Sequence, residues 1–192
     1  VAVFPIFYTG SIGYYQALLH AENVEFEVHE HFVKQTQRNR CEILGPNGRQ
    51  LLVIPTQKKT ERRLTGNTEM SYAENWQKQH WKSLEAAYRR SPYFEYYEHE
   101  FFPYYQSETK LLVEFNLNLL KTILKLLKVN LSYTLTEAYK VAPKDYRESQ
   151  FPLSKDISYM QVFNDRHSFE SNLSVLDALF NLGPKATDLL RI

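Results

Sequence analysis

Two short stretches of the chain hold its densest chemistry. Lys34, Arg38, Asn39 and Arg40 bring three cations and an amide close together. Arginine grips a carboxylate or phosphate through two parallel hydrogen bonds, and lysine adds a point charge, so this cluster could hold an anionic ligand. The plainer reading is a solvated polar turn, because short basic clusters are common on protein surfaces. His29-Glu30-His31 sets two imidazoles at alternate positions, on one face of an expected strand. They could supply two zinc ligands with a third from elsewhere, or one ring could act as a general base oriented by a carboxylate such as Glu30 or Asp177. Neither a Cys pair nor a His-Glu-x-x-His helix supports the metal, and no metal-ligand set is assigned.

Other side chains admit a chemical and a structural reading. His80 shares a helical face with Trp76 and Leu84, which suits a hydrogen-bonded histidine at the edge of a core or a base reaching into a pocket. Cys41 stands beside Arg40, but a strand start favours a small buried apolar side chain over a nucleophile. Gly10-Ser11-Ile12-Gly13 lacks the third glycine of a dinucleotide fingerprint and the lysine of a phosphate-binding P-loop. The sequence specifies no cofactor.

The elements that must position these groups follow from periodicity. Val1–Ile6 reads as a buried strand ended by Pro5, Ile12–Ala21 as a helix after the Thr9-Gly10-Ser11 turn, and Val24–Phe32 as a second strand. Strand, helix and strand at this spacing make a βαβ unit with a parallel pair, and the loop after its first strand lies where such sheets bind ligands. Arg40–Leu44 and Leu51–Pro55 flank Gly45-Pro46-Asn47-Gly48, a hairpin signal. Lys58–Asn67 is polar and basic and is expected as an exposed loop. Helices are expected from Ser71 or Tyr72 to Tyr88, over Phe94–Tyr105 with a break near Pro103, and over Ser107–Val129. A short strand follows near Asn130–Thr134, a polar loop over Tyr139–Leu153, and a closing helix over Leu173–Asn181, capped by Asn172 and ended by Gly183-Pro184. The expected fold class is α/β: a small mixed sheet with a βαβ start and a β-hairpin, covered by three or four helices, as one domain over residues 1–192.

Composition narrows the function. With 192 residues, 43% of them hydrophobic, the chain can bury one core. A net charge of +1 provides no field to recruit nucleic acid or an anionic membrane. The single cysteine excludes an intrachain disulfide framework and suits a reducing compartment. No apolar run reaches membrane-spanning length, and the first residues lack a signal-peptide pattern, so a cytoplasmic location is expected.

Several blocks, taken in order, carry a resemblance. They are Pro5-Ile6-Phe7-Tyr8 with Ile12-Gly13-Tyr14-Tyr15-Gln16, then Lys34 leading to Arg38-Asn39-Arg40, then Gly45-Pro46-Asn47-Gly48 with Leu52-Val53-Ile54-Pro55. Trp76, His80, Leu84-Glu85 and Ala87-Tyr88 follow, then Ser91-Pro92-Tyr93-Phe94, and finally Asn172-Leu173-Ser174 through Asp177 to Gly183-Pro184. The ordered set resembles the WbqC-like family. Many relatives carry an acidic pair where this chain has Val28-His29, and the segment between Lys128 and Lys155 looks shortened.

The resemblance implies bacterial surface-polysaccharide or amino-sugar biosynthesis, with aminoacyl or acyl transfer to a nucleotide-activated amino sugar. It marks Tyr8, Gly13, Gln16, Lys34, Arg38, Asn39, Arg40, His80, Ser174 and Asp177 as positions of interest. The resulting expectation has Lys34, Arg38 and Arg40 binding the anionic substrate with Tyr8, Gln16, Asn39 and Ser174. His80, His29 and Asp177 would serve proton transfer. It requires the cations and the His80 imidazole to share one hollow. The alternatives are an interaction module presenting the aromatic Tyr93–Tyr105 helix, with a homodimer among its expected partners, and a metal-dependent hydrolase using His29 and His31.

Overall fold

The computed structural model describes residues 1–58 and 62–192. Ala2–Phe4 forms β1; all three residues are buried, and Pro5, which has no amide to donate, follows it. Ser11 caps helix α1 (Ile12–His20), its hydroxyl accepting from the Tyr14 amide at 3.3 Å. Strand β2 (Val24–Phe26) pairs parallel with β1, Ala2 opposite Val24 and Phe4 opposite Phe26, which is the expected βαβ start.

The strand expected to reach Phe32 stops at Phe26. Beyond it the His29 amide donates to the Glu27 carboxylate at 2.7 Å and the Val28 amide to the Thr136 hydroxyl at 3.2 Å, so neither is left for the ladder. His29 and His31 are therefore not neighbours on a strand face; His31 makes a lone antiparallel bridge with Leu64. Strands β3 (Arg40–Gly45) and β4 (Gly48–Val53) form the expected hairpin, closing at Gly45 opposite Gly48 with Pro46-Asn47 at the tip. Of the basic loop, Lys59, Thr60 and Glu61 lie outside the described residues. Its remainder is less exposed than expected: Thr65 is buried, and the Gly66 amide donates to the Val28 carbonyl at 2.8 Å.

Helix α2 (Trp76–Tyr88) starts later than expected, at an Asn75 cap that accepts from the Lys78 amide. Helix α3 (Phe94–Phe101) gives way to a 3₁₀ turn at Phe102–Tyr105, where Pro103 withholds an amide, and α4 (Leu112–Leu126) follows. Strand β5 (Tyr133–Leu135) adds to β2. Strand β6 (Lys144–Asp145), inside the stretch expected as a polar loop, adds to β1. The sheet order is β5-β2-β1-β6, parallel throughout, and the hairpin is a separate sheet. A two-residue strand carries no periodicity, so β6 left no pattern to read.

Helices α5 (Val175–Leu182) and α6 (Ala186–Leu190) close the chain. Ser174, not Asn172, caps α5; Asn172 is left-handed and its Oδ1 accepts from the Gly13 amide at 2.8 Å. Phe94 and Phe101 meet Phe180 of α5 with ring centroids 5.1 and 5.4 Å apart, in a core that runs from Ala2 to Leu190. The aromatic helix thus turns most of its ring area inward. Of its run, only Tyr96 and Phe102 are exposed large hydrophobics.

Candidate functional site

A cleft of about 1650 Å³ opens beyond the C-terminal ends of the parallel strands, with the hairpin as one wall. This is the end at which open parallel sheets bind ligands. Glu27, the residue after β2, organises its base. The carboxylate is fully buried and accepts from the His29 amide at 2.7 Å, the Thr136 hydroxyl at 2.9 Å and the Lys140 amide at 3.1 Å. Arg147 Nη1 stands 3.6 Å away. A buried carboxylate costs several kcal/mol unless it is hydrogen-bonded or paired, and here the donors come from the segments that leave β2, β5 and β6, so meeting that need ties the strand ends together.

His29 lines this cleft. Its Nε2 lies 3.0 Å from the Thr136 carbonyl, which can only accept, so Nε2 carries a proton in that bond and Nδ1 is the ring nitrogen left for proton exchange.

Four arginines and four carboxylates line the cleft, so pairing decides which charge is left for a ligand. Arg38 is buried and committed: Nη2 and Nε reach Glu30 Oε1 at 2.6 and 2.7 Å, and Nη2 also reaches the Arg147 carbonyl at 3.3 Å. Burial raises the Glu30 carboxyl above its usual range, and Arg38 offsets part of that rise. Arg49 holds Glu42 and Glu170 at 2.7 and 2.6 Å. Arg147 holds Asp145 in a tight bidentate pair and stacks on the Tyr139 ring, 4.6 Å from its centroid.

Arg40 differs. Its Nε is buried without a hydrogen-bond partner, and no carboxylate pairs with its guanidinium among the described residues. The hairpin register puts Arg40 opposite Val53 and Glu42 opposite Leu51, and Arg40, Glu42 and Leu51 all line the cleft.

The remaining expected site residues are scattered. Ser174 lines the cleft, its hydroxyl 2.8 Å from that of Thr9. Lys34 is exposed and lies outside the lining. Asn39 donates to the Ile54 carbonyl at 2.8 Å, holding the start of the hairpin. Gln16 lines a separate pocket of about 470 Å³, donating to the Leu189 carbonyl at 3.0 Å and accepting from the Ser154 amide at 2.9 Å.

Asp177 is buried in α5, where Tyr159 and Gln161 donate to it at 2.6 and 2.9 Å, and burial raises its carboxyl above the usual range. Tyr8 and His80 lie together in the core. The Tyr8 hydroxyl is 3.0 Å from His80 Nδ1 and 2.9 Å from the Tyr105 hydroxyl. Burial pulls the His80 pKa down to about 4, so the ring is neutral near pH 7. The expected common hollow is thus corrected: Arg38 and Arg40 share the cleft, and His80 is not in its lining. Trp76 and Tyr105 pack around the His80 pair, which encloses the imidazole in the core.

The loop before α1 offers no phosphate cradle. The Ser11, Ile12 and Gly13 amides already donate to Gln37 Oε1, the Leu173 carbonyl and Asn172 Oδ1 at 3.0, 2.9 and 2.8 Å. Among the described residues no group of three His, Cys, Asp or Glu could hold a metal ion. Glu27, Thr136, Tyr139, Asp145 and Arg147 join the site without a signal in the sequence: Glu27 falls within the expected second strand, and nothing local marks a polar side chain there as buried.

The fold and cleft define an α/β protein with a ligand-sized opening at the C-terminal end of a parallel sheet. Among the described residues no helix is long and apolar enough to cross a membrane. The model of the WbqC-like protein family matches residues 7–151, and the chain belongs to that family. No curated protein and no solved structure matches it.

Proposed function

We propose that the chain is a cytosolic enzyme of surface-polysaccharide or amino-sugar biosynthesis, transferring an acyl or aminoacyl group to the amine of a nucleotide-activated amino sugar. The observation that carries this reading is Arg40, whose buried Nε has no hydrogen-bond partner and whose guanidinium pairs with no carboxylate among the described residues, in a cleft whose other arginines are paired. A buried donor left unsatisfied is costly, and a phosphate or carboxylate of the substrate would satisfy it. His29 supplies the proton chemistry. The substrate amine attacks the acyl carbonyl carbon, a nitrogen–carbon bond forms and the bond to the carrier breaks. His29 Nδ1 takes the amine proton and returns it to the leaving group; a positioned base of this kind contributes roughly 10²–10⁴-fold. Family membership supports the pathway, and the balanced charge of the cleft suits a small anion better than a nucleic-acid backbone.

Thermal shift against nucleotide sugars and acyl donors tests the reading, with wild type beside Arg40→Gln. A ligand at a hundred times its dissociation constant adds about 2.7 kcal/mol. In a chain of this size that is roughly a 5–10 °C rise in Tm, and Arg40→Gln should lose most of it. A wild type that responds to no ligand at millimolar concentration refutes the proposal.

A further inference from the structure

The cleft is apolar where the paired charges end. Val33, Leu51, Tyr139 and Val141 all line it, and they are 47, 49, 60 and 75% exposed. Single exposed apolar residues are ordinary, but four lining one cleft together with Arg40, which pairs with no carboxylate among the described residues, give that cleft a surface suited to a ligand with an apolar body and an anionic group.

Tyr139 and Val141 belong to an anchored stretch. Between them, the Lys140 amide donates to Glu27 Oε2 at 3.1 Å and Lys140 Nζ pairs with Glu25 at 2.5 Å. One face of the Tyr139 ring is covered by the Arg147 guanidinium, which Asp145 holds in turn. A ring backed by a planar cation and 60% exposed presents a flat aromatic surface to a ligand in the cleft. That geometry takes another flat π system; a flexible acyl chain would need no such backing.

We propose that the cleft binds a nucleoside diphosphate group, its base stacked on Tyr139 and its diphosphate at Arg40. The inference rests on the anion-binding reading of the same cleft and adds to it the part of the substrate that carries specificity. Val141 and Leu51 supply apolar contact, and Arg147 acts through Tyr139 as a positioning residue.

Isothermal titration of the full chain separates this inference from its foundation, using UDP, ADP, inorganic pyrophosphate and octanoate as probes. UDP or ADP should bind at least about fivefold more tightly than pyrophosphate, since a stacked base adds that much. Tyr139→Ala should abolish the advantage and leave pyrophosphate affinity unchanged, Tyr139→Trp should keep it, and Arg40→Gln should weaken nucleotide and pyrophosphate alike. Tyr139 is exposed, so both of its variants should melt near the wild-type temperature.

Pyrophosphate binding that depends on Arg40, with no nucleotide advantage or none lost in Tyr139→Ala, overturns the base-stacking inference and leaves the anion reading standing. Octanoate binding that Tyr139→Ala weakens, without nucleotide binding, overturns it in favour of an acyl chain. Binding of none of the probes at millimolar concentration removes both.

Discussion

Acid should destabilise this protein through His80, by an amount the structure allows to be worked out. The ring is enclosed by Tyr8 and Trp76, with Tyr105 hydrogen-bonded to Tyr8 behind it. Burial lowers its pKa from 6.5 to about 4, against a smaller upward effect of a hydrogen bond to the Val53 backbone. The unfolded chain therefore takes up a proton in a range where the fold does not. The stability tied to this group is complete near neutrality, is lost as pH falls from 6.5 toward 4, and falls no further below that. The full span is about 3 kcal/mol at 1.36 kcal/mol per pH unit, and the part lost between pH 7 and pH 4.5 is about 2 kcal/mol.

The groups packed against the ring do not titrate in that window. Burial holds the Tyr8 and Tyr105 hydroxyls well above their usual range, and it pushes the nearby Cys41 thiol up to about 12. Urea unfolding of wild type and His80→Gln at both pH values isolates the effect, because the amide can hydrogen-bond to Tyr8 but takes up no proton. The difference between two pH slopes cancels the fixed cost of the substitution. Wild type should lose about 2 kcal/mol more than His80→Gln between pH 7 and pH 4.5. Equal losses would refute the placement of a neutral imidazole in the core.

Three further outcomes are expected. Arg38→Gln strands the buried Glu30 carboxylate and should cost about 3–5 kcal/mol, whereas Arg40→Gln breaks no ion pair among the described residues and should stay within about 1 kcal/mol of wild type, both read from urea midpoints. Gly13→Ala would put a Cβ 2.2 Å from the Phe151 carbonyl oxygen and 2.8 Å from that of Pro152, so calorimetry should show a clear fall in Tm for a loss of about 1–3 kcal/mol or more. Thr136→Val removes the acceptor of the Val28 amide and a donor to Glu27. It should cost about 1–3 kcal/mol and speed amide exchange at Val28, as measured by NMR.

The βαβ start and the hairpin were legible because each is a local pattern: apolar runs at strand spacing, a capped helix between them, and Pro46-Asn47 between two glycines. Pro103 marked the end of α3 for an equally local reason. Errors gathered where a distant group supplied the deciding partner. The apolar alternation extends β2 six residues past its end, because Thr136, more than a hundred positions away, takes the Val28 amide. Asn172 has the side chain of a helix cap, but Gly13 draws it away and Ser174 caps α5 in its place.

Local pattern is enough to specify the fold class, the order of the local elements and which side chains carry charge. Which of those charges are already neutralised depends on contacts between distant segments. Arg38 and Arg40 are alike in the sequence, yet Glu30 consumes one and nothing among the described residues consumes the other. Tertiary packing also decided that His80 lies in the core while His29 faces the cleft. Periodicity reports which face a side chain takes along its own element. Desolvation and pairing depend on what other elements bring against that face, and that is set by the packing of segments far apart in the chain.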